Sequence, residues 1–219
     1  RFGFNFGDKH LNFTGKPVVP INQTEPPYWR WNKAFNQALV SMQVVRKNTA
    51  QEICNFIEKN KFEFWVGYPS IIHNFCSLLL EKGIELENKP KAIFLGAENI
   101  YEDQKQDLQE VTGAIITDQY GFSEGAGNAS QCEHFNHHID FEFGIMECVE
   151  PEVLENGDTR GKIVCTGFSN KAFPFFRYEV GDLGVWSNEK CNCGRESVIL
   201  KRIEGRIEDY IVTPEGSRF

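Results

Sequence analysis

The stretch Ala114-Ile115-Ile116-Thr117-Asp118-Gln119-Tyr120-Gly121-Phe122-Ser123-Glu124-Gly125 begins as a short apolar, β-branched run and ends in a polar turn that contains glycine. This pattern predicts a buried strand that delivers a loop to one edge of a sheet, where α/β proteins bind ligands. In that loop Tyr120 can stack on a flat ring, Ser123 can donate to a phosphate, and Glu124 can bind Mg²⁺. The alternative, which spacing alone favours, is a hairpin turn with exposed polar side chains.

Strands and helices alternate on the N-terminal side of this stretch. Strands are predicted at 17–20, 62–66 and 91–95, and helices at 31–45, 49–60, 70–80 and 102–111. Thr49 and Ser70 are predicted to cap two of these helices, and Gly83 to end one. Alternating strands and helices predict an α/β fold in which helices flank a largely parallel sheet. We assign residues 1–140 to this partial nucleotide-binding subdomain.

The pattern changes on the C-terminal side. Short strands are predicted at 144–149, 161–167, 175–178, 184–186, 198–203 and 209–212, with turns such as Asn156-Gly157-Asp158 between them. Short strands at this spacing predict an antiparallel, barrel-like subdomain, to which we assign residues 141–219.

Composition narrows the function classes. The 219 residues carry a net charge of −8 and no basic cluster, which argues against a nucleic-acid partner. No apolar run approaches the roughly 20 residues that cross a bilayer. The chain has seven cysteines, an odd number, in an ordinary globular composition, which does not indicate a disulfide framework. We therefore expect the reducing environment of the cytoplasm.

Three motifs resemble those of the adenylate-forming enzymes, which include acyl-CoA synthetases, luciferases and peptide-synthetase adenylation domains. They are Tyr120-Gly121-Phe122-Ser123-Glu124, Arg177-Tyr178-Glu179-Val180-Gly181-Asp182 and Gly205-Arg206-Ile207-Glu208-Asp209. Each motif is weak alone, but their order and their separations of roughly 55 and 25 residues are typical of the family.

Further stretches resemble the phenylacetate–CoA ligase-like group, and most of all its branch associated with capsular-polysaccharide biosynthesis. These stretches are Trp29-Arg30-Trp31-Asn32, Gly67-Tyr68-Pro69-Ser70, Gly96-Ala97-Glu98, Phe173-Pro174-Phe175-Phe176-Arg177-Tyr178 and Cys191-Asn192-Cys193-Gly194-Arg195. The resemblance covers nearly the whole chain. It implies an ATP-dependent enzyme that adenylates a small carboxylic acid, with coenzyme A as the expected acyl acceptor.

The resemblance also implies roles for individual residues. Glu124 would bind magnesium and Ser123 would contact phosphate, while Asp182 would accept hydrogen bonds from both ribose hydroxyls. The nucleotide-binding set implied by the family is Gly96, Ala97, Glu98, Tyr120, Gly121, Asp182 and Arg206. Glu208 takes the hinge position, where many relatives carry Asp. The competing interpretations are a turn residue for Asp182 and an exposed ion pair for Arg206.

Two elements of the family are expected outside these residues. The Ser/Thr-Gly-rich phosphate loop should precede Arg1, and the C-terminal domain with its catalytic lysine should follow Phe219. We therefore expect a fragment of the large N-terminal domain that cannot catalyse adenylation alone.

The sequence Cys191-Asn192-Cys193 indicates separate chemistry. Two thiolates with a distant Cys and His can form a tetrahedral zinc site, and Cys132 and His138 supply the preferred partners. His134 is the alternative imidazole, and free cysteines beside a solvated histidine cluster are the simpler interpretation. The remaining thiols lie in apolar runs and are expected to be small buried hydrophobes: Cys54, Cys76, Cys148 and Cys165.

Three functions remain open at this point. The first is an acid–CoA ligase, and the second is a zinc-stabilised binding module of the same fold without catalysis. The third is another nucleotide-dependent enzyme, such as a nucleotidyltransferase, that uses the glycine-rich turns.

Overall fold

The computed structural model describes residues 2–206, and the chain divides into two compact units between Asp118 and Gln119. This division precedes the boundary expected near residue 140. The reason is that the strand carrying Tyr120 already pairs antiparallel with the strand that follows it. In residues 2–206, none of the helices combines the length and apolar character needed to cross a membrane.

The first unit holds a mainly parallel sheet. Its strands are β1 (His10–Thr14), β2 (Trp29–Asn32), β3 (Gln37–Ser41), β4 (Phe64–Gly67) and β5 (Ala92–Gly96), in the order β2-β3-β1-β4-β5. Strand β1 is parallel to β3 and β4, and β4 is parallel to β5, while β2 is antiparallel at the edge. The helices are α1 (Ala50–Asn60), α2 (Pro69–Lys82) and α3 (Glu102–Thr112).

The core of this unit follows from the periodicity of its helices. In α1 the side chains of Ile53, Phe56 and Ile57 fall on one face and are buried with Phe13 of β1 and Trp65 of β4. Burial of each such side chain contributes about 1.5–3 kcal/mol to the stability of the fold and holds the helix against the sheet.

Helices α1 and α2 end where predicted and differ from the predictions only at their N-termini. Helix α2 ends at Gly83 in the left-handed conformation, as predicted, because glycine carries no Cβ to oppose a positive φ. Thr49 is the N-cap residue of α1, as predicted, but its hydroxyl donates to the carbonyl of Val44 and makes no capping hydrogen bond. The prediction for Ser70 is wrong, because α2 begins at Pro69 with Tyr68 as its N-cap residue.

Two other predictions in this unit are wrong. The helix predicted at 31–45 is a β2–β3 hairpin, with Asn36 at a φ of 49° in the turn. The decisive signal was the alternation that buries Ala38 and Val40, a period of two. Residues 17–20, predicted as a strand, form no strand in the described chain, because prolines cannot donate to a sheet ladder. The first strand of the unit is β1.

The second unit is antiparallel. Its strands are β6 (Ile115–Gly121), which starts in the first unit, β7 (Asn128–Gln131), β8 (His137–Ile139), β9 (Gly144–Val153), β10 (Thr159–Gly167), β11 (Tyr178–Ser187) and β12 (Ile199–Arg206). Their order is β6-β7-β8-β12-β11-β10-β9. The predicted α/β fold class, a helix-flanked parallel sheet followed by an antiparallel subdomain, is confirmed. Within residues 2–206 the strands of the expected barrel-like subdomain form a linear order from β6 to β9.

One strand of this unit corrects the sequence interpretation. The strands predicted at 175–178 and 184–186 are replaced by the single strand β11, so Asp182 lies in a strand and not in a turn. The register against β10 shifts around Gly181, whose φ is 89°, which marks a bulge. A bulge keeps the strand continuous while it re-aims the following side chain. The strand predicted at 209–212 lies outside the described residues.

Candidate functional site

The centre of the candidate nucleotide site is a hydrogen-bonded pair in the second unit. Tyr120 stands at the end of β6 and Asp182 follows the bulge of β11. The Tyr120 hydroxyl donates to Asp182 Oδ2 over 2.6 Å, and Asp182 is only 9% exposed. A buried carboxylate needs such donors, and this one keeps acceptor capacity, because an ionised carboxylate offers about four lone-pair sites.

Arg206 lies opposite this carboxylate. Asp182 and Arg206 are partners in the β11–β12 register, and Arg206 Nε lies 3.7 Å from Asp182 Oδ1. Each of the two follows a glycine at positive φ, namely Gly181 at 89° and Gly205 at 98°. The Arg206 side chain is 63% exposed, so most of its N–H donors face solvent and can reach a ligand.

A tight turn presents the predicted magnesium and phosphate residues. The Gly125 N–H donates to the Phe122 carbonyl over 3.0 Å, which leaves Ser123 and Glu124 exposed at the corner of the turn. The turn is held against the strands at Ala126, because a Cβ on Gly144 would lie 2.3 Å from the Ala126 carbonyl oxygen. Close packing of this kind holds the backbone that follows the turn in place.

Tyr178 is a site residue to which the sequence analysis gave no role. It is the first residue of β11, and its hydroxyl donates to Glu124 Oε1 over 3.0 Å. The signal for it lay in the second motif, where the tyrosine precedes Gly181-Asp182. Asp182 and Glu124 therefore each accept a hydrogen bond from a phenol.

The phenols remain neutral donors at physiological pH. Burial, and then the hydrogen bond to Asp182, raise the pKa of Tyr120. The hydrogen bond to Glu124 raises the pKa of Tyr178. A neutral phenol beside a carboxylate supplies a hydrogen bond without a positive charge, so the acidic residues keep their attraction for cations and hydroxyls.

Gly121 has a packing reason for its place in the first motif. A Cβ at this position would lie 2.8 Å from Asn128 Oδ1, the side chain opposite it in the β6–β7 pair. That amide is held in turn by Asp140 Oδ2 at 2.6 Å. The close approach of the Asn128 side chain therefore explains why residue 121 is a glycine.

The other nucleotide residues predicted by resemblance lie in the first unit. Gly96 ends β5, Ala97 takes a φ of 68°, and Glu98 follows on the exposed loop. Glu98 Oε2 accepts the Ser70 N–H over 3.0 Å, at the first turn of α2. A carboxylate at a helix N-terminus satisfies a free N–H and interacts favourably with the helix dipole. The predicted hinge residue Glu208 lies outside the described residues.

The predicted thiol and imidazole ligands meet in the second unit. Cys132 follows β7, His138 lies on β8, and Cys191 and Cys193 lie between β11 and β12, with their donor atoms all within 4.8 Å of one another. The alternative imidazole, that of His134, is on an exposed residue outside this group. Hydrogen bonds from the Cys193 backbone N–H and the Asn136 side chain lower the pKa of Cys191.

The remaining cysteines match their predicted role as small apolar residues. Cys54, Cys76 and Cys165 are buried and Cys148 is half-buried, and all seven cysteines are free. Burial raises the pKa of Cys54 to about 11 and that of Cys76 and Cys165 to about 12. These four thiols lie outside the group of donor atoms formed by Cys132, His138, Cys191 and Cys193.

The fold is that of the adenylate-forming enzymes. The structure of a 2-hydroxyisobutyryl-CoA ligase in the postadenylation state superposes with a TM-score of 0.73 at 19% identity, covering 100% of this chain and 47% of that one. An open conformation of the same ligase gives a TM-score of 0.70 at 18% identity, covering 95% and 47%. No protein-family model matches the chain.

Sequence relatives agree with the fold, because the chain is similar to protein CapK and to a phenylacetate-coenzyme A ligase. It is 29% identical over 221 residues to protein CapK of Staphylococcus aureus, covering 98% of this chain and 47% of CapK. It is 35% identical over 152 residues to phenylacetate-coenzyme A ligase of Thermus thermophilus, covering 66% and 34%. The chain therefore spans about half the length of CapK and about a third of the ligase.

Proposed function

We propose that the full-length protein containing these residues activates a small carboxylic acid with ATP and transfers the acyl group to coenzyme A. The observation that carries the proposal is the Tyr120–Asp182–Arg206 arrangement, in which motif residues from three strands converge on one buried carboxylate. Similarity to phenylacetate-coenzyme A ligase supports the reaction class.

The reaction has two steps. A carboxylate oxygen attacks the α-phosphorus of ATP, and the bond to pyrophosphate breaks to give an acyl adenylate. The thiol of coenzyme A then attacks the acyl carbon and AMP leaves. The first step concentrates negative charge on phosphoryl oxygens, so it requires a cation and aimed donors.

The residues of the second unit have the chemistry for these tasks. Asp182 has acceptor capacity left for the ribose hydroxyls after binding Tyr120, and the exposed guanidinium of Arg206 can bind ribose or phosphate. One oxygen of Glu124 accepts the hydrogen bond from Tyr178, and the other can bind Mg²⁺. Ser123, beside Glu124, can donate to phosphate. The Tyr120 ring can stack on the adenine.

We place this protein in the cytoplasm, because all seven cysteines are free and a reducing compartment keeps them so.

The test is an exchange of labelled pyrophosphate into ATP, run with the full-length protein and a panel of carboxylic acids. We expect exchange that depends on one class of acid and is abolished by EDTA. A product assay with coenzyme A then distinguishes thioester formation from release of the adenylate. ATP binding without exchange for any acid would contradict the proposal and favour a non-catalytic binding module.

A further inference from the structure

The spacing of the four soft donor atoms in the second unit matches the edges of a metal tetrahedron. The Cys132 and Cys191 Sγ atoms lie 3.6 Å apart, and Cys193 Sγ lies 3.3 Å from His138 Nε2. Two sulfurs that each sit about 2.3 Å from one zinc ion at a tetrahedral angle are about 3.8 Å apart. The separation is far longer than the roughly 2.0 Å of a disulfide.

The imidazole is oriented for metal binding by the residue behind it. His138 Nδ1 lies 2.9 Å from Ser197 Oγ and 3.3 Å from the Ser197 carbonyl oxygen. A carbonyl oxygen can only accept and a hydroxyl can also accept, so a proton on Nδ1 satisfies both contacts and leaves the lone pair of Nε2 facing Cys193. Outer hydrogen bonds of this kind fix the tautomer of metal-binding histidines.

The sulfurs also have donors aimed at them. The His134 N–H donates to Cys132 Sγ over 3.3 Å, and Asn136 Nδ2 donates to Cys191 Sγ over 3.3 Å. Donors of this kind disperse the negative charge of thiolates, which a closed metal site gathers in a small volume. The same loop that carries Cys132 thus supplies the support for two ligands.

Two tight turns bring the thiols forward. In the first, the Cys132 N–H donates to the Asn136 carbonyl over 3.0 Å while Phe135 takes a φ of 60°. In the second, Gly194 follows Cys193 with a φ of 77°, and its N–H donates to the Cys191 carbonyl over 3.4 Å. The β8–β12 pairing, with His138 opposite Ile199, joins the two turns.

From these observations we infer a structural Zn²⁺ site formed by Cys132, His138, Cys191 and Cys193. Three thiolates and one imidazole are a donor set that zinc prefers, and four protein ligands leave no open position for substrate. Cys132 is 0% exposed and His138 is 1% exposed, so the site is closed to solvent on their side. The ion ties the β7–β8 turn to the β11–β12 turn, about sixty residues away, and offsets the entropy of closing that loop.

The first test is elemental analysis of protein purified without chelator, which requires no substrate and is independent of the proposed adenylation. We expect about one zinc per chain, the stoichiometry of a single four-ligand site. The zinc content of the Cys191→Ser/Cys193→Ser double variant should fall to background. Two matched controls should keep their zinc: Cys148→Ser removes a half-buried thiol outside the cluster, and His134→Ala removes the neighbouring imidazole.

A second measurement keeps the inference testable if the double variant fails to fold. The wild-type protein is reconstituted with Co²⁺, and its absorption spectrum is recorded. We expect thiolate-to-cobalt charge-transfer bands together with the intense visible bands of a tetrahedral ion. Absence of both zinc and these bands would overturn the site, as would a Cys132–Cys191 disulfide in freshly purified protein. Zinc that is lost from His134→Ala but kept by His138→Ala would overturn the ligand set.

Discussion

Two clusters in the second unit differ in how completely they use their own ligand atoms. The hydroxyl–carboxylate cluster of Tyr120, Asp182 and Glu124 pairs each acid with one phenol and leaves acceptor sites over, with Glu124 exposed. The thiol–imidazole cluster turns four donor atoms toward one point and is largely buried. Spare capacity at an accessible edge suits a ligand that comes and goes, whereas a saturated, buried set suits an ion that stays.

The largest expected effect comes from metal removal. Structural zinc contributes about 10 kcal/mol in small zinc-binding peptides at neutral pH, so a chelator should unfold the region that the thiol–imidazole cluster ties together. Hydrogen exchange should show loss of protection in β8 and β12, and unchanged protection in α1 and α2, whose core has no part in the cluster. Equal loss in both units would break the distinction between a local structural site and the rest of the chain.

Asp182→Ala should produce the next largest effect. A ribose hydroxyl left without its charged acceptor costs about 2 kcal/mol or more, equivalent to about a 30-fold loss in kcat/KM for ATP in the full-length protein. Asp158→Ala is the matched control, because Asp158 is also a buried aspartate but pairs with Lys201 at 2.9 Å. It should lower stability and leave ATP use intact. Unchanged efficiency in Asp182→Ala at subsaturating ATP would remove this residue from the site.

Tyr120→Phe should have a smaller, pH-dependent effect on stability. Loss of the hydrogen bond to Asp182 should cost about 1–1.5 kcal/mol near pH 8. The pKa of Tyr120 is raised in the folded state, so its contribution is complete below the unfolded value of about 10 and is lost as pH rises beyond it. The difference between the unfolding free energies of wild type and Tyr120→Phe, measured with denaturant, should therefore be smaller at pH 11 than at pH 8.

The control for that measurement is Tyr28→Phe, which removes a buried phenol bonded to the neutral carbonyl of Thr24 at 2.6 Å. A gap between wild type and Tyr120→Phe that stays constant with pH would contradict the coupling between the phenol and the carboxylate.

The smallest expected effect tests a third carboxylate, in the first unit. Glu98 accepts the Ser70 N–H at the start of α2, so Glu98→Ala should cost about 1 kcal/mol of stability. Glu98→Gln keeps an acceptor oxygen without the charge and should lose less. Chemical denaturation of both variants measures the difference. Equal stability of Glu98→Ala and wild type would contradict a stabilising role for this carboxylate at the start of α2.

Local patterns in the sequence determined the fold class and the helices α1, α2 and α3, because periodicity and glycine positions are encoded in short segments. The grouping of the candidate site residues by motif came instead from the resemblance to the adenylate-forming enzymes. The same patterns failed at 31–45, where a hairpin with Asn36 in its turn resembles a helical repeat of aromatics. They failed again at the N-terminus of α2, where Glu98, distant in sequence, accepts the Ser70 N–H.

Only the tertiary structure shows which of the candidate side chains lie within bonding distance of one another. The sequence already preferred His138 to His134, and the β8–β12 pairing agrees with that preference, because it buries the His138 imidazole beside Ser197 and leaves His134 exposed. The bond from Tyr120 to Asp182 spans 62 residues and depends on a bulge at Gly181. Spacing along the chain indicates which residue types are available, but strand register and bulges set the distances of a few ångströms on which hydrogen bonding and metal coordination depend.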